Sequence, residues 1–134
     1  MNTIPVITLD GPAASGKGTV AELVARELGF HYLDSGALYR IATLAALKAG
    51  VDPADSEGLT AVAEKLSPVF ENGRILLEGE DVTLAIRSEE VSRATSKVAV
   101  VPGVRRALFD LQRRAARAPG LVADGRDMGT VVFP

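Results

Sequence analysis

The sequence has no cysteine and no tryptophan, and aromatic residues account for only 4% of its 134 residues. Without cysteine the chain forms no disulfide, no zinc–thiolate site and no thiol nucleophile, which suits a reducing compartment. The core must be largely aliphatic, because 47% of the residues are nevertheless hydrophobic. This length is enough for one globular domain and too short for two large ones.

The sequence also lacks a strong charge bias and long apolar runs. The formal net charge is -2, so we expect no nucleic-acid and no membrane partner, and an anion site must be built locally from a few cations and backbone N–H groups. Charged residues interrupt the apolar stretches before they reach the length of a bilayer span, and no cleavable signal follows Met1. A cytoplasmic, monomeric protein is expected.

The first third of the chain has a β-α-β pattern. The β-branched run 4–9 predicts a buried strand, helical spacing from Lys17 predicts a helix capped by Gly29, and 30–33 is a second strand candidate. A second helix is predicted over 37–49. Parallel pairing of the strands fits this order.

The middle of the chain has a different pattern. Apolar spacing predicts a short helix over 59–66, and the dipeptide at 72–73, Asn-Gly, predicts a hairpin between two short apolar runs. Val82 and Thr83 are expected to add a further strand after a turn. The middle segment is therefore expected to form a subdomain with a small antiparallel element.

Two further helices and one more strand are predicted after this element. Ser88 is placed to cap a helix that runs to about Val98, and Pro102 is placed to begin the next helix. The apolar run 121–123 is expected to return to the core as a strand. The second helix is expected to carry five arginines largely on its outer side: Arg105, Arg106, Arg113, Arg114 and Arg117.

The segment between the first strand and the first helix satisfies the pattern G-x-x-x-x-G-K. Its glycines permit a backbone whose N–H groups turn toward one centre, the helix N-terminus adds partial positive charge, and Lys17 can reach β- and γ-phosphates. The alternative is an ordinary glycine-rich turn. The predicted ATP-binding residues are Gly11, Pro12, Ala13, Ala14, Ser15, Gly16, Lys17, Gly18 and Thr19.

Gly18 stands where the generic pattern has a serine or threonine that binds magnesium. We therefore expect Mg²⁺ to be held more through water and nucleotide oxygens, with Thr19 turned to a phosphate. Asp124, at the end of the predicted core strand, is expected to act through the water shell of the metal. The alternative for Asp124 is a simple turn residue before Gly125.

Four motifs extend beyond the generic pattern: G-P-A-A-S-G-K-G-T, L-D-S-G-A-L-Y-R, E-G-E-D-V and A-D-G-R-D-M-G-T-V-V-F-P. Together they resemble the bacterial cytidylate kinases, a family of nucleoside monophosphate kinases, over the whole chain. In such kinases G-K-G-T is typical, which accounts for Gly18. The resemblance implies an α/β fold with a P-loop NTPase-type parallel sheet flanked by helices. It also implies a small nucleoside-monophosphate-binding subdomain with an antiparallel β insertion.

The resemblance divides the chain into three segments. Residues 1–35 and 102–134 would belong to the core, and 36–101 to the monophosphate-binding subdomain. The chain stops in an apolar run at Pro134, whereas the resemblance implies further core strands and an arginine-bearing lid. We therefore expect the front part of a longer protein, with little or no kinase activity of its own.

The acceptor phosphate is expected to bind between Ser35 and Arg40, whose hydroxyl and guanidinium can converge on one dianion. The alternative makes Ser35 a helix cap and Arg40 a solvated helix residue. The resemblance adds Arg126 to this phosphate site. Lys17, Arg40 and Arg126 are then the expected catalytic residues.

The resemblance assigns cytosine recognition to Ser96, Arg105 and Asp127. Asp127 would accept from the exocyclic amine and Arg105 would donate to the ring, a combination that uracil does not satisfy. The alternative for Arg105 is one of several solvated arginines. A structural role is expected for His31, and packing roles for Tyr39 and Phe70.

The expected reaction converts ATP and CMP or dCMP to ADP and CDP or dCDP, with Mg²⁺. Two alternatives remain at this point. One is a kinase for another nucleoside monophosphate or small acceptor. The other is a non-catalytic nucleotide-binding module.

Overall fold

The computed structural model describes residues 4–10, 17–71, 74–116 and 119–125. The chain divides into two compact units, one formed by Met1–Gly36 with Leu111–Pro134 and the other by Ala37–Asp110. Each contains its own sheet. The assignment of binding roles to the segments 1–35, 36–101 and 102–134 stays a prediction.

The first unit is built on a three-stranded parallel sheet. Strands β1 (Val6–Asp10), β2 (His31–Asp34) and β6 (Leu121–Gly125) pair in the order β1-β6-β2, so the strand latest in the chain lies in the centre. Helix α1 (Lys17–Leu28) connects β1 to β2. The predicted parallel β-α-β opening is confirmed.

The core of the first unit is small and aliphatic. Ala21 and Ala25 of α1 are buried against Val122 of β6, and the partly buried side chains of Phe30 and Tyr32 pack on this cluster. Alanines at the contact let the helix approach the sheet closely. Residues at the centre of a parallel sheet are apolar because both faces are covered.

Glycines end the first two helices as predicted. Gly29 has φ +69° after α1 and Gly50 has φ +72° after α2 (Ser35–Lys48), both in the left-handed region. The Phe30 N–H bonds to the carbonyl of Ala25 and the Gly29 N–H to that of Arg26, which satisfies the last carbonyls of α1. Helix α2 begins at residue 35, two residues before the predicted start.

The second unit contains the rest of α2, two complete α-helices, a 3₁₀ turn, most of a further helix and an antiparallel sheet. Helix α3 (Ser56–Glu64) is capped by Asp55, whose side chain accepts from the Gly58 N–H. Strands β3 (Val69–Glu71), β4 (Arg74–Leu77) and β5 (Glu80–Asp81) form the sheet in the order β3-β4-β5. The predicted hairpin between β3 and β4 is confirmed, and its turn at 72–73 lies outside the described residues.

The third strand of this sheet lies two residues earlier than predicted. It covers Glu80–Asp81, whereas the sequence predicted a strand at Val82 and Thr83. The Ile75 N–H donates to Oγ1 of Thr83 at 2.9 Å, so a side-chain hydroxyl stands in for the backbone carbonyl of a further strand pair. The ladder therefore ends at this point.

The remaining helices match the sequence signals. A 3₁₀ turn at Ala85–Arg87 leads into α4 (Glu89–Val98), which Ser88 caps by accepting from the Val91 N–H. Helix α5 (Pro102–Arg114) begins at its proline. The combination of a parallel sheet with flanking helices and a separate antiparallel sheet confirms the predicted α/β fold class.

Candidate functional site

The carboxyl ends of the three parallel strands lie at one edge of the first unit. Asp124 of β6 is in register with Leu9 of β1 on one side and with Asp34 of β2 on the other. Strand β1 ends at Asp10 at this edge, and the next described element along the chain is α1, which begins at Lys17. Ligands of open parallel sheets bind at the carboxyl ends of the strands, and a helix N-terminus there favours anions.

The strand before and the helix after the phosphate-loop motif, both of which the pattern requires, are therefore present. Gly11, Pro12, Ala13, Ala14, Ser15 and Gly16 lie outside the described residues, as do Arg126 and Asp127. Only the backbone of Lys17, Gly18, Thr19 and Asp124 is described. Their predicted contacts with ATP, CMP and Mg²⁺ stay predictions.

Ser35 is the first residue of α2 and directly follows the last residue of β2. It therefore lies at the sheet edge where β1 and β6 also end. Its side chain is partly buried. The alternative of Ser35 as a cap placed before the helix does not fit, because the helix already includes Ser35.

Arg40 lies in the second turn of α2 and is anchored rather than free in solvent. Its Nη1 donates to Oγ of Ser92 at 2.7 Å and to the carbonyl oxygen of Ile86 at 3.3 Å. The residue is partly buried. The alternative of a solvated helix arginine is therefore wrong, and Ser92 is a contact that the sequence reasoning missed.

The sequence offers no direct signal for the contact between Arg40 and Ser92. The two residues are 52 positions apart, and they meet because α2 and α4 belong to the same unit. One indirect signal exists: Ser92 is four residues before the predicted site residue Ser96, so both lie on the same side of α4.

Ser96 and Arg105 are both exposed. The Ser96 hydroxyl donates to the carbonyl oxygen of Arg93 in its own helix at 2.9 Å. Among the described residues, no hydrogen bond or ion pair joins Ser96, Arg105 and Arg40 to one another. The structure thus places two of the base-reading candidates on α4 and α5 of one unit without linking their side chains directly.

The described part of the chain contains no group of three or more histidine, aspartate or glutamate side chains suited to a metal ion. Asp124 is the residue predicted from the sequence to bind Mg²⁺ through water, and its backbone lies at the carboxyl end of the central strand. An oxygen ligand at this position suits a hard cation. Within the described ranges, no helix is long and apolar enough to cross a membrane.

The three aromatic residues for which the sequence predicted structural or packing roles lie in regular secondary structure. His31 begins β2, where its N–H donates to the carbonyl oxygen of Gly120 at 2.9 Å. Tyr39 is partly buried in α2, and its carbonyl oxygen accepts from the Thr43 hydroxyl. Phe70 is partly buried in the β3–β4 hairpin.

Comparison of the sequence with known proteins identifies the family of this chain. The family model of cytidylate kinase matches residues 7–134. The chain belongs to the cytidylate kinase family. The resemblance inferred from its motifs is confirmed.

Curated cytidylate kinases from several bacteria match almost the whole chain. The enzyme of Nitrosomonas eutropha is 54% identical over 98% of this chain, and that of Bordetella bronchiseptica is 55% identical over 97%. The cytidylate kinase of Ralstonia pickettii is 57% identical over 97% of this chain. The chain spans 58%, 58% and 56% of the lengths of these three relatives.

Proposed function

We propose that the protein to which this chain belongs transfers the γ-phosphoryl group of ATP to CMP or dCMP, which gives ADP and CDP or dCDP. The observation that carries the proposal is the sheet edge of the first unit. Strand β1 ends there, and in the sequence the G-x-x-x-x-G-K segment joins it to α1; β2, on the other side of the central strand β6, leads directly into Ser35. Family membership supports the same reaction.

The donor phosphates would bind to Gly11–Thr19, where backbone N–H groups and the N-terminus of α1 attract negative charge. Lys17 would reach the β- and γ-phosphates and stabilise the charge that shifts during transfer. Mg²⁺ would enter with ATP and neutralise phosphate charge, and Asp124 would hold it through water. In these roles the residues act through their position and charge, and none of them acts as a general base that removes a proton from the acceptor.

The acceptor phosphate would bind to Ser35, Arg40 and Arg126. The cytosine ring would be read by Ser96, Arg105 and Asp127, of which Asp127 accepts from the exocyclic amine. UMP presents a carbonyl group in place of this amine, so its binding would leave the carboxylate unpaired. Preference for CMP follows from this mismatch.

The first test is turnover of the protein expressed from its full reading frame, with ATP, Mg²⁺ and CMP. Replacing Lys17 by methionine should lower kcat by about 100-fold or more, because the side chain keeps its length and loses its charge. Lys48→Met is the matched control, since Lys48 pairs with Glu80 on the surface of the second unit. The proposal fails if the wild-type protein makes no CDP or if Lys17→Met retains full turnover.

The identity of the acceptor is tested separately by nucleotide selectivity. The ratio of kcat/KM for CMP to that for UMP should fall in Asp127→Ala. Asp127 would distinguish the two nucleotides by the amine of cytosine, which uracil replaces with a carbonyl group. An unchanged ratio would contradict the base-reading role of Asp127. It would favour a kinase of broader acceptor range.

A further inference from the structure

The anchoring of Arg40 leaves one defined edge of its guanidinium group available. Nη1 is engaged twice, since this atom donates to Ser92 Oγ at 2.7 Å and to the Ile86 carbonyl oxygen at 3.3 Å. Arginine has five N–H donors in a fixed plane. Within the described part of the chain, no other hydrogen bond of Arg40 is found.

The donors that remain are Nε–H and the two hydrogens of Nη2. The Nε and Nη2 atoms form the side-on edge of the guanidinium, whose two parallel N–H groups match a pair of phosphate oxygens. Fixing Nη1 therefore fixes the direction in which this edge faces. An unanchored arginine loses rotamer entropy each time it forms such a contact.

The two acceptors that hold Arg40 are uncharged. A hydroxyl and a backbone carbonyl satisfy the Nη1 hydrogens without neutralising the cation. A carboxylate in the position of Ser92 would hold the guanidinium as firmly, but its charge would reduce the attraction between Arg40 and a dianionic phosphate. The arrangement thus keeps both the orientation and the full charge of Arg40.

We propose that Ser92 is a positioning residue that, with the Ile86 carbonyl, orients the side-on edge of Arg40 toward the phosphate of the acceptor nucleotide. This inference rests on the proposed function. Because Ser92 and Ser96 are four residues apart on α4, the helix that orients the phosphate ligand also carries a residue expected to contact the base. Helix α4 would then set the distance between the two contacts with CMP.

The inference is tested by equilibrium binding of CMP and of cytidine, which lacks the phosphate, to the protein from its full reading frame. Ser92→Ala should raise the Kd for CMP about tenfold, the change that accompanies loss of one ordinary hydrogen bond, and leave that for cytidine unchanged. Ser92→Thr keeps the hydroxyl and should bind CMP nearly as well as wild type. Ser92→Asp should bind CMP at least as poorly as Ser92→Ala.

The comparison of CMP with cytidine separates positioning from a purely structural role. If the contact only stabilised the fold, Ser92→Ala would weaken the binding of both ligands to the same extent, whereas Ser92→Asp tests the charge of Arg40, because aspartate accepts from Nη1 and partly neutralises the cation. Thr95→Val is the matched control on the same helix, since the Thr95 hydroxyl bonds only to the carbonyl oxygen of Val91. This control should leave both affinities unchanged.

The outcomes distinguish this inference from the proposed function. If wild type binds CMP and Arg40→Met weakens that binding, but Ser92→Ala and Ser92→Asp match wild type, the role of Ser92 is overturned and the proposed function stands. Equal losses for CMP and cytidine in Ser92→Ala would also overturn it. If wild type does not bind CMP at all, both fail.

Discussion

At the scale of single residues, Thr83 shows how one hydroxyl changes both a strand and a carboxyl group. Its Oγ1 accepts from the Ile75 N–H and donates to Oδ1 of Asp81 at 2.6 Å. This bond and then the Thr83 N–H lower the pKa of Asp81; desolvation opposes them, and the charge of Arg74 lowers the pKa by a smaller amount than desolvation raises it. The carboxylate form is favoured because both hydrogen bonds to Oδ1 are stronger when the acceptor is ionised.

Removing this hydroxyl should raise the pKa of Asp81 toward the ordinary aspartate value. In the wild-type protein the pKa of Asp81 is lower in the folded state than in the unfolded state. The ionised carboxylate therefore stabilises the folded protein at pH values above the ordinary aspartate pKa. This stabilisation is lost as the pH falls through the lowered pKa of the folded state. NMR titration of the Asp81 carboxyl carbon in wild type and Thr83→Val measures the change. Thr83→Ser keeps the hydroxyl and serves as the control, and coincident curves for wild type and Thr83→Val would contradict the assignment.

The residues that sequence reasoning identified differ from those it missed in the range of their contacts. Ser88 and Gly29 were predictable, because a cap acts on backbone groups of its own helix. Ser92 and Thr83 were not, since each depends on a partner on another element. The hydrogen bond between Arg40 and Ser92 was likewise missed, because it joins two different helices.

At the scale of elements, helix ends and strand ends were both displaced from their predicted places, and for β5 the displacement is set by pairing. Strand β5 begins two residues early because the turn between β4 and β5 has only Glu78 and Gly79, with φ of +51° and +82°. A two-residue loop with both φ values positive matches the twist of the strands. Glu78 is not a residue that favours this conformation, and the turn predicted from the sequence covered all of residues 78–81 instead of two residues.

Glu78→Asn should stabilise the β4–β5 hairpin by about 0.5–1 kcal/mol, because asparagine followed by glycine is strongly preferred in such turns. The measurement is hydrogen exchange of the Val82 amide, which donates to the Ile75 carbonyl oxygen across the hairpin. Slower exchange is expected. Gly79→Ala should have the opposite effect, since φ of +82° is strained for alanine, and unchanged exchange in both variants would contradict the account of the turn.

At the scale of the whole molecule, the sequence predicted the parallel sheet but not the order of its strands. Apolar runs indicate which segments are buried, whereas the central place of β6 depends on pairings between residues more than 80 positions apart. The separate antiparallel sheet was predicted from local turn chemistry. The phosphate loop stays a prediction from the fixed local spacing of its motif, since residues 11–16 lie outside the described ranges.

Val122→Ala should lower the free energy of unfolding of the first unit by about 2 kcal/mol, because Val122 is fully buried against α1 and its loss leaves a cavity. Hydrogen exchange resolves the effect by residue. We expect faster exchange in β1, β2 and β6 and little change in the β3–β4 hairpin, since that hairpin belongs to the other unit. Equal acceleration throughout the chain would show that the two units unfold together.

The place of β6 in the sheet has a consequence for biosynthesis. Strands β1 and β2 are synthesised early but do not pair with each other. Each pairs with β6, which ends at Gly125 and is synthesised later. The contiguous segment Ala37–Asp110 has its own sheet partners and is translated before that strand. During translation, the nascent chain is therefore expected to fold this inner segment first, while the edge that would receive ATP forms only afterwards.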